Sequence, residues 1–218
     1  MSLLDQVKMH AQATDEVIVS FSMGKDSLVV LDLAKKYFKK VHVFYMYMVP
    51  GLEFQEKALR QYEKIYNIEI KRVPHFEDSE FYRYGSFRDP DYTVPIITIN
   101  DVYESMRQEF GCYWITGGER KADSIFRNGM VNKSTSLDVK RGRMYPLAYW
   151  KKKDVFDYMK FHKLYWPSFY KELGFSLHSL QGKELSRLKQ VYPEDYQRVL
   201  QYFPEAEAGV LKYETYGE

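Results

Sequence analysis

Short apolar runs alternate with helically spaced segments over the first part of the chain. Residues 16–21, EVIVSF, are apolar and largely β-branched, which predicts a buried strand. A tight polar loop follows, and Leu28 to Ala34 opens a predicted helix that ends near Lys40. Val41 to Tyr47 predicts a second strand. Phe54, Ala58, Tyr62 and Ile65 recur at helical spacing over 53–66, and Ile68 to Val73 predicts a third strand. Strand–helix–strand–helix–strand is the order of parallel strands whose crossovers cover the sheet with helices.

The pattern loosens after that. Residues 75–96 are rich in Tyr, Arg, Asp and Pro without a clean period and read as a surface excursion. A helix is expected over 99–110, then a strand from Cys112 to Thr116, then the turn Gly117-Gly118. Residues 128–142 are polar and irregular, as expected of a mobile segment near a site. From Lys151 the spacing is helical over 151–162, 167–173, 182–191 and 193–202. The expected architecture is α/β, a parallel-stranded sheet with helices on both faces. Residues 1–165 are expected to form the α/β part, and 166–218 a helical C-terminal extension of the same domain.

Composition narrows the function classes. At 218 residues the chain can bury one sizeable core. A formal charge of +2 gives no general argument for a nucleic-acid or membrane partner. The single cysteine, Cys112, excludes an internal disulfide and a cysteine-built zinc or iron–sulfur site. On a predicted inner strand it reads as a small buried hydrophobe. The N-terminal MSLLDQVKMHAQ is amphipathic and lacks the apolar core of a signal peptide. No stretch approaches the roughly 20 apolar residues of a membrane span. A cytoplasmic location is expected. The five histidines show no metal-ligand spacing, and only His75 and His178 are expected near a cleft.

The candidate chemistry begins at Ser22-Met23-Gly24-Lys25-Asp26-Ser27, between the first strand and its helix. Such a loop aims free backbone N–H groups and the helix dipole at one point, a setting for an anion. Gly24 lets a phosphate approach the backbone, Ser22 and Ser27 supply hydroxyls, and Lys25 supplies a cation. Asp26 would orient the loop or help position a metal ion. The Walker pattern is absent. Taken alone, Ser or Asp before an apolar helix also fits a structural N-cap.

These residues resemble the PP-loop ATP pyrophosphatase superfamily, whose usual loop is S-G-G-K-D-S. The resemblance is to its branch of phosphoadenosine-phosphosulfate (PAPS) reductases and the sulfate adenylyltransferase subunit. Met23 stands where the first Gly of that loop normally sits. Two further blocks resemble the same branch in the same order. Gly118-Glu119-Arg120-Lys121-Ala122-Asp123-Ser124-Ile125-Phe126-Arg127 is similar to its G-x-R-x-x-E-S-x-x-R stretch, with Asp123 in place of Glu. Arg143-Met144-Tyr145-Pro146-Leu147, with Trp150, Asp154-Val155 and Tyr158, is similar to R-x-x-P-L-x-x-W-x-x-x-D-V-x-x-Y. The stretch Val49-Pro50-Gly51-Leu52-Glu53-Phe54-Gln55-Glu56 matches more weakly, because the acid expected before Gly51 is missing. The resemblance spans roughly residues 16–170.

The resemblance implies an adenine nucleotide held by Ser20, Ser22, Gly24, Lys25, Ser27, Tyr45, Gly118, Ser124 and Arg143. Lys25, Asp26, Arg120 and Arg127 would act on the phosphates, and ATP and Mg²⁺ would be the cofactors, with Asp26 as the metal residue. Arginines at 120, 127 and 143 suit phosphate oxygens through charge-assisted pairs, although such arginines also form ordinary surface ion pairs. The adenine is expected against the ends of the first two strands, near Ser20 and Tyr45 to Tyr47. The reductases need a cysteine in a C-terminal tail, and Tyr213 to Glu218 offers none, so thiol-dependent reduction is not expected. Residues 174–180 likewise lack the cysteine pair that some relatives carry there.

Two readings remain at this stage. One is cleavage of the α–β bond of ATP with adenylation of an acceptor, either sulfate or another oxyanion, or a carboxylate or carbonyl oxygen on a nucleic acid or metabolite. The other is a nucleotide- or PAPS-binding subunit that depends on a protein partner, or a homodimer. Tyr192, Tyr196, Leu200, Tyr202 and Phe203 offer a surface for such a partner, and ordinary core packing explains them more simply.

Overall fold

The computed structural model of the chain describes residues 3–123, 136–174 and 180–217. They group into two compact units. One comprises Met1–Met46, Tyr62–Val73 and Asn100–Tyr165, and the other Tyr47–Gln61, Pro74–Ile99 and Trp166–Glu218. Residues 166–218 thus share their unit with two earlier segments.

The first unit carries most of a six-stranded sheet. Its strands are β1 (Glu16–Ser20), β2 (Lys40–Tyr47), β3 (Ile70–Pro74), β4 (Ile115–Thr116), β5 (Leu137–Asp138) and β6 (Arg143–Met144), in the order β3-β2-β1-β4-β6-β5. β1 runs parallel to β2 and β4, and β4 parallel to β6, while β5 is antiparallel to β6. Val17, Ile18 and Val19 are fully buried, the condition of a central parallel strand covered on both faces. Helix α2 (Lys25–Tyr37) buries Leu28 to Ala34 without interruption. It ends where Phe38 N–H returns to the Ala34 carbonyl and the amides of Lys39 and Lys40 turn to Asp15 O.

Helix α1 (Asp5–Ala13) is pinned by polar contacts. The Ser136 hydroxyl donates to Gln6 Oε1, His10 Nε2 lies 3.2 Å from Ser136 Oγ, and Trp150 Nε1 donates to Leu3 O at 2.9 Å. Trp150 and Tyr158 serve the fold. Tyr158 donates to Asp32 Oδ2 at 2.7 Å, tying α6 (Lys152–Phe161) to α2. Lys151 and Asp154 form the capping box that starts α6.

The second unit is helical and aromatic. Phe54, on α3 (Glu53–Tyr66), stacks on Tyr192 and meets Phe169 of α7 (Phe169–Leu173) edge-on, at 5.1 and 5.2 Å between ring centroids. Helices α8 (Gly182–Val191), α9 (Pro193–Tyr202) and α10 (Ala206–Tyr216) complete it. Phe203 and Tyr196 are buried within it. The backbones of Gly182 and Gly209 touch, leaving no room for a side chain at 182.

Several expectations shift. The irregular stretch 75–96 contains a helix, α4 (Asp78–Tyr84), which ends at left-handed Gly85. Its polar composition hid a period too short to register. The strand expected over Cys112 to Thr116 is reduced to two residues, and buried Cys112 precedes it. Helix α5 (Ile99–Phe110) falls where expected, whereas α10 was not foreseen, because Ala206 to Tyr216 has weak periodicity. Of the segment 128–142, residues 128–135 lie outside the described residues, and 137–138 form an edge strand. No described helix is long and apolar enough to cross a membrane.

Candidate functional site

The loop after β1 is held by its own serines. Ser22 N–H donates to Ser27 Oγ at 3.1 Å, the two hydroxyls lie 3.1 Å apart, and Ser27 Oγ donates to the Gly24 carbonyl at 3.0 Å. Gly24 is extended and leads directly into α2, and a Cβ there would stand 3.3 Å from Ser22 Oγ. The left-handed residue is Met23, at φ 60° and 3 % exposed. Its conformation is the one a glycine adopts freely, and its buried side chain compensates for that strain.

The second motif meets this loop at Gly118. A Cβ on Gly118 would lie 2.8 Å from Asp26 Cβ and 2.8 Å from the Ser27 nitrogen. Only glycine fits, because the obstacle is largely backbone. That contact delivers the next residues to the loop. Arg120 Nε lies 3.1 Å from Asp26 Oδ1, and its Nη2 donates to Asp123 Oδ1 at 2.5 Å. Lys25 Nζ donates to Asp26 Oδ2 at 2.5 Å. Asp26 is thus flanked by two cations, one on each oxygen.

Arg143 lies farther along the same strand ends, beside Ile115 in the register of β4 and β6. It donates to Glu119 Oε1 at 2.6 Å, with its guanidinium 4.3 Å from the Tyr103 ring and 5.6 Å from that of Tyr145. Burial acts to lower its pKa, but Glu119, Tyr103 and Tyr145 overcome that and hold the guanidinium charged. Burial also raises Tyr103, against the contacts of its hydroxyl with Arg143 and Ser20. Tyr145 is pushed up to about 12, chiefly by burial. Ser20 is therefore joined to Arg143 through Tyr103.

The structure brings Ser22, Gly24, Lys25, Asp26, Ser27, Gly118 and Arg120 together, with Ser20 and Arg143 in an adjoining cluster. Tyr45 is buried one residue beyond Phe44, the partner of Ser20, and strand alternation directs it to the opposite face of the sheet. Ser124, Arg127 and His178 lie outside the described residues. Tyr103 and Glu119 are site residues that sequence reasoning missed. Tyr103 sits in an ordinary amphipathic helix, and Glu119 occupies a variable position of its motif.

Every described cation here has its own carboxylate: Lys25 with Asp26, Arg120 with Asp26 and Asp123, Arg143 with Glu119. Even so, Asp26 Oδ1, Glu119 Oε2, Arg120 Nε and Arg143 Nε are buried without a hydrogen-bond partner among the described residues. Two of the four, Arg120 Nε and Asp26 Oδ1, face each other as an ion pair at 3.1 Å, which leaves Arg143 Nε and Glu119 Oε2 as the unmatched atoms. A resident Mg²⁺ fits poorly. Mg²⁺ takes one or two carboxylates free to ligate it, whereas both oxygens of Asp26 face cations. No group of three acidic, His or Cys side chains suited to a metal occurs among the described residues.

The phosphoadenosine phosphosulfate reductase domain model matches residues 16–199, the loop and both later motifs included. The chain belongs to this family. No curated relative matches it. Among solved structures it is similar to a PAPS reductase from Candida auris in a phosphate complex. That match has TM-score 0.57 and 16% identity, and covers 82% of this chain and 90% of the other. The NH3-dependent NAD synthetase of Campylobacter jejuni is similar at TM-score 0.51 and 15% identity, covering 99% and 93%. The FMN adenylyltransferase of Candida glabrata, in complex with ATP, is similar at TM-score 0.53 and 16% identity, covering 78% and 58%. At these identities the likeness is one of fold, an α/β sheet flanked by helices. The PAPS reductase domain of this chain has a single cysteine, Cys112, which is buried and whose thiol burial pushes up in pKa.

Proposed function

We propose that this PAPS reductase-family protein binds an adenine nucleotide on the loop from Ser22 to Ser27 and cleaves its α–β phosphate bond to adenylate an acceptor. The observation that carries the reading is the contact of Gly118 with Asp26 and Ser27, which sets Lys25 and Arg120 on the two oxygens of one carboxylate. Asp26 then acts as a holder of both cations. On nucleotide binding they exchange its oxygens for phosphate oxygens, a charge-assisted contact of the same kind. The acceptor oxygen attacks the α-phosphorus, the bond to the bridging oxygen breaks, and pyrophosphate leaves. Positioning and charge neutralisation are the protein's contribution. Arg127 and Ser124 belong to this reading through their motif. The FMN adenylyltransferase neighbour, solved with ATP, makes ATP the first nucleotide to test. Any Mg²⁺ would arrive with the polyphosphate, and no step is assigned to it. Thiol-based sulfur chemistry is not part of the reading, since Cys112 is buried with its thiol on the Trp114 carbonyl.

A second reading is a nucleotide- or PAPS-binding subunit that turns over only with a protein partner. The pairing of every described site cation with a carboxylate favours it, because a polyanion must first displace those partners. Calorimetry with ATP, AMP, adenylylsulfate and PAPS, with and without Mg²⁺, on wild type and Lys25→Ala, tests both. Binding of one nucleotide that Lys25→Ala abolishes supports the site, and pyrophosphate release then selects the enzyme. Binding without release selects the partner-dependent subunit. No binding of any nucleotide rejects both.

A further inference from the structure

Helices α8 and α10 and the C-terminal end of α7 border an open cavity of about 530 Å³ in the second unit, and it shares no residue with the loop after β1. Two local contacts build its walls. The backbone approach of Gly182 to Gly209 lets α10 lie on α8, which brings Tyr213 to one side. On the other side, Arg187 closes on the end of α7, where a last-turn carbonyl has no partner inside its own helix. Arg187 Nε and Nη2 donate to Glu172 O at 3.2 and 2.8 Å, and its Nη1 donates to Gln190 Oε1 at 3.2 Å. The guanidinium is thereby fixed, with an N–H left over on each terminal nitrogen.

The charge around this cavity is unbalanced. Lys183 lies one helical turn from Arg187 on the same face of α8, and both line the cavity. Lys183 is exposed and makes no hydrogen bond or ion pair among the described residues, and Arg187 has no carboxylate there. The nearby acids are taken. Glu214 is held by Ser186 and Lys189, Glu172 accepts from Tyr192, and Glu184 is engaged within the chain. We propose that the cavity binds a small organic phosphate monoester, with its phosphate on Lys183 and Arg187 and its organic body against Leu173 and Tyr213. Such a phosphate carries about two negative charges on an array of acceptor oxygens, which suits a lysine beside an arginine with an N–H free on each terminal nitrogen. A carboxylate brings about half that charge. The volume falls within the roughly 300–1,000 Å³ of small-molecule sites, more than inorganic phosphate alone fills. The inference goes beyond the proposed function and rests on no part of it.

The test follows the backbone amide resonances of Lys183 to Gln190 and of Tyr213 in ¹⁵N-labelled full-length protein, on adding phenyl phosphate, benzoate, phenol or inorganic phosphate. Saturable shifts with phenyl phosphate are expected, with binding at least roughly tenfold weaker for the other probes. Lys183→Gln and Arg187→Gln should each weaken phenyl phosphate by roughly tenfold or more. Lys183 has no hydrogen-bonded partner to lose, so its variant decides the matter even if Arg187→Gln loosens the end of α7. Benzoate or phenol binding as tightly overturns the phosphate class, and inorganic phosphate binding as tightly overturns the organic body. An unchanged response in Lys183→Gln, or no shift with any probe, overturns the site. Lys25→Ala is expected to leave these shifts as they are, and their loss in that variant would assign the phosphate to the loop after β1 instead.

Discussion

Gly118 sits against Ser27 so closely that a Cβ on it would lie 2.8 Å from the Ser27 nitrogen. One atom-width of space thus joins the loop after β1 to the turn after β4. Gly118→Ala must push the two backbones apart, and overpacking of this kind costs about 1–3 kcal/mol. The larger effect is expected on the site, because the Arg120–Asp26 pair depends on that approach. Chemical denaturation should show the modest stability loss, while nucleotide affinity falls well beyond it. Unchanged affinity would mean that Arg120 reaches the loop without the glycine contact.

Met23 tests which of two opposed effects wins. Returning the position to glycine relieves a left-handed conformation worth roughly 1–2 kcal/mol. It also removes a side chain that is 3 % exposed, and truncating a buried methionine costs about 2–5 kcal/mol. Met23→Gly should therefore destabilise the protein by a net amount on the order of 1–3 kcal/mol. A rise in melting temperature would show that the backbone strain dominates.

The buried pair of Arg143 and Glu119 should behave asymmetrically under mutation. Arg143→Met leaves Glu119 without its cation and is expected to cost about 3–5 kcal/mol. Adding Glu119→Gln in the same chain removes the stranded charge and should recover a large part of that loss. A double-mutant cycle measures the coupling. Additive losses would mean that the two side chains do not depend on each other.

Two buried groups with opposite linkage should shape the pH profile: their slopes oppose one another between about pH 4 and 6.5, and the Asp78 loss alone remains from there to about 8. Burial lowers His10 from 6.5 to about 4, against the contact with Ser136. A group depressed in the folded state contributes stability above its unfolded pKa, and loses it as pH falls through about 4. Asp78 is the opposite case. It is 8 % exposed, and burial pushes it up to about 8, with Glu77 adding to the effect and the His75 backbone opposing it. Its favourable neutral form is complete below the unfolded value of 3.8, and stability is lost as pH rises toward about 8. Urea melts from about pH 4 to 9 should show the alkaline loss flattened in Asp78→Asn, with the acid loss due to His10 then exposed, and in His10→Gln a decline that begins near pH 4. A wild-type profile level from about pH 6.5 to 9 would reject the Asp78 assignment.

The order of apolar runs was enough to specify β1, β2, α2, α3 and α5 and the parallel α/β sheet. Burial on both faces leaves a period that any window of sequence displays, as the unbroken run from Val17 to Val19 does. The loop after β1 was legible for a similar reason, since strand, glycine, lysine and helix are local in the chain. Pairings across long separations were not legible. Nothing near Arg143 announces Glu119 as its partner, and nothing in α5 distinguishes Tyr103 from its neighbours. The N-terminus of α3 is capped by Asp195, whose Oδ1 and Oδ2 accept from the amides of Glu53 and Phe54 at 2.7 and 3.1 Å. The acid missing before Gly51 is a local absence in the sequence, and this helix end takes its carboxylate from 142 and 141 residues away. Periodicity records which side of an element is buried, and motifs record what neighbours in the chain can do together. Which charges meet, and whether a cation faces a ligand or an internal carboxylate, is decided by contacts that form only when the strand ends are brought side by side.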